Sequence, residues 1–447
     1  MNSSSPFLHR TGLSAVFLCL GVGLLTAGPL DPPAGPVTAT GPTGIYSLPF
    51  TISTSGSYEL RNDVTLAEGG TGITITADHV SLDLGNYVVS ASSFGSTAIG
   101  LPGNRRGIII RGGLLEGWSY LLNEGSEETD ENVLLEDIRF TGVLGVIAPG
   151  SRAYTVRRVS LMVVDAGIEV GDWARVEGCD VFALGKARTG DGIVVGANSS
   201  VSDSRVESGR DGIRGGDASM VVGSVVQGFG DHGIRLSDSD GPAGRVDRST
   251  ATGSPAETGS VGIVARTVSF SYGASPGDGI IGDNISFSTG AGTSEGESTV
   301  GIGGTNVSYS YGSADDVGID TYPFSWGTVT SSVGIGEQRG ISAGSRGSVF
   351  NSYGFAPNTE SWSIVYGIAA GLVMNSTGYI NSEGSESSSG ISASIVTSSF
   401  GDAGDGQNGT RSISADVGVG SFGVGDFGIL GAMDIDYPYN VPTLSSP

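Results

Sequence analysis

Short bursts of alternating apolar and polar residues recur along most of the chain, divided by glycine, asparagine and aspartate. Many bursts open on a Gly-Ile pair. Successive pairs lie roughly 20 residues apart, about the length of one coil of a parallel β-helix. The recurrence therefore predicts a stack of coils. The isoleucines of these pairs are Ile168, Ile193, Ile213, Ile234, Ile263, Ile280, Ile302, Ile319, Ile341, Ile368 and Ile391.

The pattern predicts an all-β protein, a right-handed parallel β-helix of roughly 15 to 18 coils with an N-terminal cap. No stretch shows the 10 to 15 residue helical pattern that alternating βα units require, so Rossmann and barrel folds are disfavoured. An antiparallel sandwich is the main alternative. It predicts hairpin turns, whereas here the same residue types return at the same place in each coil.

Three segments, 262–273, 279–290 and 301–312, align without a gap. Period-2 alternation across each segment assigns one set of side chains to the core and the serines to the outer face. This predicts an internal aromatic ladder of Phe270, Phe287 and Tyr309, with serines 269/271, 286/288 and 308/310 outside. In the alternative, these aromatic residues face outward and form a stripe on which sugars stack. A buried Phe287 would exclude that alternative.

The N-terminus has the features of a signal peptide, which we assign to residues 1–28. His9 and Arg10 form its charged end, Leu13 to Leu25 its apolar core, and Thr26-Ala27-Gly28 its cleavage region. An uncleaved anchor is the alternative, although the apolar run is shorter than a spanning helix needs. We expect a Pro/Gly-rich linker over 29–44, the β-helix over 45–430 with its cap from Ile45 to about Leu66, and a tail over 431–447.

Composition narrows the classes of function. The 447 residues carry a net charge of -24, which leaves no basic surface for nucleic acid. Without the signal peptide, Cys179 is the one remaining cysteine, and we expect it to fill an interior stack. The acidic stretch 123–132 is interpreted as a solvated loop, because it lacks the ligand spacing of a calcium-binding EF-hand.

The chain resembles secreted bacterial right-handed parallel β-helix repeat proteins with a pectate-lyase-like fold. The segments that carry the resemblance are 56–60, 72–84 and 107–113, followed by the Gly-Ile coils, and the likeness covers roughly residues 45 to 430. The resemblance implies architecture. It does not imply one activity, because the wider fold includes lyases, hydrolases, epimerases, adhesins and phage tail fibres.

The register of the coils indicates one candidate site. Asp191, Asp211 and His232 each precede a Gly-Ile pair, and Arg214 and Arg235 each follow one. In stacked coils, equal register means adjacency, so we expect Asp211, His232, Arg214 and Arg235 to gather, with Asp231 beside them and Asp191 one coil away. The acids and His232 are candidate catalytic groups, and the arginines are candidate ligands for a uronate carboxylate. The alternative is structural, because Asp-Gly forms turns and alternating charges form ion-pair ladders.

Two functions follow as hypotheses. The first is an exported β-helix with a structural or carbohydrate- and surface-binding role, with a polysaccharide or cell-surface glycan as partner. The second is a lyase or hydrolase that acts on an acidic polysaccharide. We expect a secreted or extracytoplasmic protein with no membrane span in the mature chain and no cofactor; calcium would enter only if the protein were a lyase. The segment 401–406 resembles a calcium-binding nonapeptide once, where tandem copies are needed.

Overall fold

A computed structural model describes residues 41–434, apart from 94, 125–128, 184–189, 239–240, 255–258, 294–297, 322–325, 358–363, 382–387, 405–409, 425–426 and 431–432. The predicted signal peptide and most of the linker and tail lie outside these residues. In the described part the chain is all β and forms a parallel β-solenoid of about 15 turns. No helix in these ranges is long and apolar enough to cross a bilayer. The predicted parallel β-helix is confirmed, and the antiparallel sandwich is excluded.

The strands form three faces, which we call A, B and C. Strands of face A alone are Phe50–Ile52, Thr71–Ile75, Thr97–Gly100, Ile168–Asp172, Ile193–Val195, Ile213–Gly215, His232–Asp238, Val261–Val264, Val317–Asp320 and Phe427–Leu430. Strands of face B alone are Thr43–Ile45, Gly56–Leu60, Val80–Asp83, Arg106–Arg111, Glu131–Glu136, Thr155–Arg157, Arg175–Glu177, Ser200–Ser202, Met220–Val222, Arg245–Asp247, Thr267–Ser269, Thr328–Thr330 and Met433–Asp434.

Strands of face C alone are Val64–Leu66, Val88–Ala91, Ser160–Val163, Asp180–Ala183, Arg205–Ser208, Val225–Phe229, Thr250–Gly253, Tyr272–Ser275, Thr289–Gly292, Tyr311–Ala314, Val333–Gly336, Tyr353–Ala356, Thr377–Ile380, Phe400–Asp402 and Phe422–Val424. Longer strands bridge two faces. Leu114–Asn123 and Arg139–Arg152 join C to A, whereas Asp278–Ser286, Val300–Ser308, Arg339–Phe350, Tyr366–Met374, Ser389–Thr397 and Arg411–Val419 join A to B. Gly241–Pro242 pairs antiparallel with the strand His232–Asp238.

One buried column on face A explains the Gly-Ile repeat. The isoleucines pair in parallel, coil on coil, from Ile168 to Ile413. In the pairs from Gly167-Ile168 to Gly390-Ile391, the glycine makes room for face C. A Cβ at Gly212 would lie 2.1 Å from Cγ1 of Val226, and one at Gly279 would lie 2.3 Å from the backbone N of Ala291. The dipeptide therefore combines a core side chain with a point of close approach between faces.

The interior of face C changes along the solenoid. Its inward column carries Val181, Val206, Val226 and Ala251, and from Gly273 onward every member is glycine. A Cβ at Gly312 would lie 2.1 Å from the carbonyl oxygen of Gly318 on face A. In the second half, faces A and C therefore pack backbone against backbone. The apolar side chains of the main core come from faces A and B, and face C contributes Ala356 and Ile380 to a small separate cluster.

The corner between faces B and C is built on a left-handed residue in most coils. Phe270, Phe287 and Tyr309 have φ angles of 49°, 50° and 50°. This conformation turns the chain and shifts the alternation of side chains by one residue. As a result Val268 points inward, Phe270 points outward and Ser271 is buried.

The predicted internal aromatic ladder is therefore wrong. Phe270, Phe287 and Tyr309 do stack on consecutive coils, but on the outside, where they are 51 to 60% exposed. Four of the serines predicted to lie outside are buried instead, namely Ser269, Ser271, Ser288 and Ser310, whereas Ser286 and Ser308 are partly exposed. Period-2 alternation holds within a strand, and the left-handed corner residue interrupts it. Because Phe287 is exposed, the alternative of an outward aromatic stripe stands.

The buried serines form a hydrogen-bonded ladder. The backbone N–H of Ser288 donates to Oγ of Ser310, and the hydroxyl of Ser288 donates to the carbonyl oxygen of Ser286. The same pattern links consecutive coils from Ser204 to Ser421. Each hydroxyl thus satisfies two backbone groups that the corner would otherwise leave unpaired.

Two expectations about single features have different outcomes. Cys179 is buried as predicted, and burial raises the pKa of its thiol to about 11, which keeps it protonated at neutral pH. The prediction that the acidic stretch 123–132 is a solvated loop is only partly correct. Glu124 and Asp130 are buried, where Glu124 accepts a hydrogen bond from the Tyr154 hydroxyl and Asp130 accepts one from the backbone N–H of Arg105. Residues 125–128 lie outside the described residues.

Candidate functional site

The charged residues predicted to gather do lie on consecutive coils of face A. Asp191 is buried, and its carboxylate accepts hydrogen bonds from Nε of Arg210, at 2.6 Å, and from Nη2 of the same side chain. Nη2 of Arg214 lies 3.2 Å from the same carboxylate. Arg210 was not among the predicted residues, although its place directly before Asp211 puts it one coil above Asp191. The carboxylate of Asp191 is therefore occupied by two arginines.

Asp211 is the second buried carboxylate of this cluster. Nδ1 of His232 lies 3.1 Å from its Oδ1. Burial raises the pKa of Asp211, but the hydrogen bond from His232 and the charges of His232, Arg235 and Arg214 outweigh burial, so its pKa lies below the ordinary value. An aspartate held ionised in this way is poorly suited to act as a general acid at neutral pH.

The remaining predicted residues sit at the edge of the cluster. Arg214 and Arg235 are register partners on adjacent coils, and Nε of Arg235 donates to Oγ of Ser237 at 3.0 Å. Asp231 is exposed. The geometry supports an ion-pair network that ties coils together.

Asp278 lies in the same register column of face A as His232, with Val261 on the coil between them. It accepts a hydrogen bond from the backbone N–H of Val300 at 2.8 Å. Burial, together with the charge of Asp320, raises the pKa of Asp278, and that hydrogen bond only partly offsets the increase. The folded protein therefore carries this carboxylate in its charged form at a cost.

The substitution Asp278→Asn is expected to raise the melting temperature at neutral pH. Because the pKa of Asp278 is higher in the folded than in the unfolded state, its carboxylate destabilises the fold as the pH rises through the ordinary aspartate range. The amide removes this charge and keeps an acceptor for Val300. Thermal unfolding of both proteins at about pH 3 and pH 8 measures the effect. An equal rise in melting temperature at both pH values would contradict the raised pKa of Asp278.

A second group of exposed side chains lies at the corner between faces B and C. Phe270, Phe287 and Tyr309 stack with centroids 4.9 Å apart and ring planes 3° from parallel. Each ring covers part of its neighbour, which stabilises the ladder. The left-handed conformation is unfavourable for bulky residues, but it recurs at this corner in most coils, so it belongs to the fold and does not itself mark a functional site.

A stripe of tyrosines runs beside this ladder on face C. Tyr272, Tyr311 and Tyr353 share one outward register column and are 38 to 40% exposed. Thr289 and Val333 separate them, so a tyrosine recurs every second coil, about 10 Å apart at the usual strand spacing. We call Phe270, Phe287, Tyr309 and these three tyrosines the aromatic surface. Tyr353 was not singled out by sequence, although it follows a corner serine just as Tyr272 and Tyr311 do.

Within the described ranges, no group of three or more histidine, cysteine, aspartate or glutamate side chains is placed to hold a metal ion. Of the segment 401–406, Asp402 accepts a hydrogen bond from the backbone N–H of Gly404, whereas Asp405 and Gly406 fall outside the description.

Neither a family model nor a curated protein sequence matches the chain. Solved structures with a similar course of the chain include the tailspike protein of E. coli bacteriophage HK620. It is 11% identical, and the match covers 82% of this chain and 72% of the tailspike chain, with a TM-score of 0.36. The catalytic domain of a GH87 α-1,3-glucanase in complex with nigerose is 10% identical over 72% of this chain and 66% of its own, with a TM-score of 0.27.

The A-module of the mannuronan C-5 epimerase AlgE4 from Azotobacter vinelandii is 11% identical over 85% of this chain and 91% of its own, with a TM-score of 0.25. At these values we transfer no residue role from any of the three proteins.

Proposed function

We propose that the protein is an exported carbohydrate-binding β-helix whose aromatic surface binds an extended glycan. The observation that carries the proposal is the row of tyrosines on face C. Three rings at intervals of two coils form a straight, rigid platform in a part of the chain with few charged residues. Aromatic rings bury the apolar faces of sugars and tolerate their hydroxyl groups.

The spacing of the stripe favours a linear, β-linked polysaccharide. In such a chain alternate sugars turn the same face to one side, and the repeat is one disaccharide, about the distance that separates Tyr272 from Tyr311. A regular strand ladder holds the rings in place, so little ordering is required on binding.

The two columns of the aromatic surface contribute differently. In the stacked ladder the faces of Phe287 are turned to Phe270 and Tyr309, so its exposed part is mainly ring edge. The register neighbours of the tyrosines are Thr250, Thr289, Val333 and Thr377, so no ring of this column stacks directly on them. Further along the same column, Phe400 stacks on Phe422. We therefore assign the principal contacts with sugar to the tyrosines and a supporting role to the ladder.

The double variant Tyr272→Ala/Tyr311→Ala is expected to bind β-1,4-linked glycans such as cellulose or chitin at least tenfold more weakly than the wild type. Each lost ring contact is worth about 1 kcal/mol or more, and 1.4 kcal/mol is a factor of ten. Sedimentation with the insoluble polysaccharide over a range of protein concentrations gives both affinities.

The matched control is Tyr46→Ala/Tyr87→Ala, which removes two exposed tyrosines from the first coils. It is expected to bind like the wild type. Equal loss in both double variants, or a wild type that sediments with none of the β-linked glycans, would overturn the proposal. Circular dichroism melts verify that each variant is folded.

A further inference from the structure

A trough of about 700 Å³ lies open on the C-terminal coils, at the end of face A. Small residues form its floor, because one outward register column carries Ser342, Ala369, Ser392 and Ser414. Arg339, Tyr366 and Asp416 also line it. The floor crosses four coils, an axial length of about 14 Å at the usual strand spacing.

A bulge adjoins this trough. In the strand Arg339–Phe350, Gly344 pairs with Ala370 and Ser348 with Leu372, so residues 345–347 are inserted between two register pairs. The insertion requires glycine at its end, since a Cβ at Gly347 would lie 1.7 Å from the carbonyl oxygen of Ala343. Ser345 of the bulge lines the trough. Bulges of this kind redirect side chains and often adjoin functional sites.

The charge around the trough contrasts with the rest of the chain. After Arg266 the sequence contains three basic residues, Arg339, Arg346 and Arg411, in a protein of net charge -24. All three lie here. Arg339 and Arg411 share one register column, with Tyr366 and Ser389 between them, and Arg346 is exposed on the bulge. Among the described residues, none of the three forms an ion pair with a carboxylate.

We propose that this trough is a second binding site, which accepts a linear polysaccharide bearing uronate carboxylates. Arg339 lines the trough on its first coil, and Arg411 lies in the same register column on its last coil, so two arginines at opposite ends of the four coils are available to carboxylates repeated along a polymer. Arginine binds carboxylate in bidentate geometry. The serine hydroxyls of the floor offer donors and acceptors to sugar hydroxyl groups. The net negative charge elsewhere repels a polyanion, which confines it to this patch.

The site is independent of the aromatic surface. The trough lies on face A around Arg339 to Asp416, whereas the tyrosine stripe runs on face C from Tyr272 to Tyr353. Variants at one site therefore leave the other intact. Failure of one proposal is distinguishable from failure of the other.

The test is the affinity of the full mature chain for polygalacturonate, measured by calorimetry in EDTA so that calcium does not bridge two acidic partners. We expect Arg339→Gln/Arg411→Gln to bind at least about tenfold more weakly, since charge-assisted pairs dominate such a site. The affinity of Arg339→Lys/Arg411→Lys is expected to lie between those of the wild type and the glutamine variant, because lysine keeps the charge and loses the bidentate geometry. Binding by the wild type should weaken as salt increases.

The matched control is Arg175→Gln/Arg245→Gln, which changes net charge equally and alters exposed arginines of face B. It should bind polygalacturonate within about twofold of the wild type. Equal weakening in the control pair would overturn the proposal. So would equal wild-type affinity for fully methyl-esterified polygalacturonate, or for single-stranded DNA, because the site would then not select carboxylates on sugars.

Discussion

Gly312→Ala is expected to lower the free energy of unfolding by about 3 kcal/mol or more, one of the largest effects a single methyl group has. The new Cβ would lie 2.1 Å from the carbonyl oxygen of Gly318 and 2.8 Å from Cγ1 of Ile319. The first contact is with backbone on the opposite face, which is fixed by parallel pairing on both sides. Relief would require the two faces to separate over several coils.

Chemical denaturation of the wild type and the variant measures this loss. Gly69→Ala is the matched control, because a Cβ there meets only Oγ of Ser93, at 3.5 Å, and its backbone is not left-handed. Its expected change is within about 0.5 kcal/mol. If Gly312→Ala were as stable as Gly69→Ala, faces A and C could not be in backbone contact.

The second large effect is expected for Asp191→Asn, which should cost about 2 kcal/mol. Its carboxylate is 5% exposed and holds both Arg210 and Arg214. Breaking a fully buried pair costs about 3 to 5 kcal/mol, and solvent screening reduces this here because both arginine side chains are about 40% exposed. The side-chain amide of asparagine also places N–H donors opposite the guanidinium groups, where the carboxylate had only acceptors.

The control for this substitution is Asp231→Asn, which changes an exposed carboxylate of the same cluster and should alter stability by less than about 0.5 kcal/mol. Thermal and urea unfolding compare the variants. Equal stability of Asp191→Asn and the wild type would remove the structural role assigned to the cluster and return Asp191 to the candidate catalytic groups.

The architecture was predictable because each coil repeats the same local solution. The Gly-Ile pairs show both a core position and a close approach between faces, and their spacing sets the length of the coil. The change of the face C column from Val226 to Gly273 could be seen only after the register was known, because glycine is also the commonest signal of a turn.

The site was predictable in part. Equal register correctly brought Asp211 to His232, since stacking converts sequence position into adjacency. The orientation of Phe287 was not predictable from alternation, because a single left-handed residue reverses which side chains face inward and no sequence rule favours phenylalanine in that conformation. The trough left no signal, because its floor consists of the small residues that also serve as loop and spacer residues.

The left-handed corner has a consequence for how such a surface evolves. The same backbone conformation recurs at Asp203, Arg248, Phe287, Asn351 and Ser398, so acid, base, aromatic ring, amide and hydroxyl are all accommodated at one position of the coil. The serine ladder beneath is unchanged by what stands above it. At this corner, therefore, each coil can expose a different side chain without a change in the backbone that carries it.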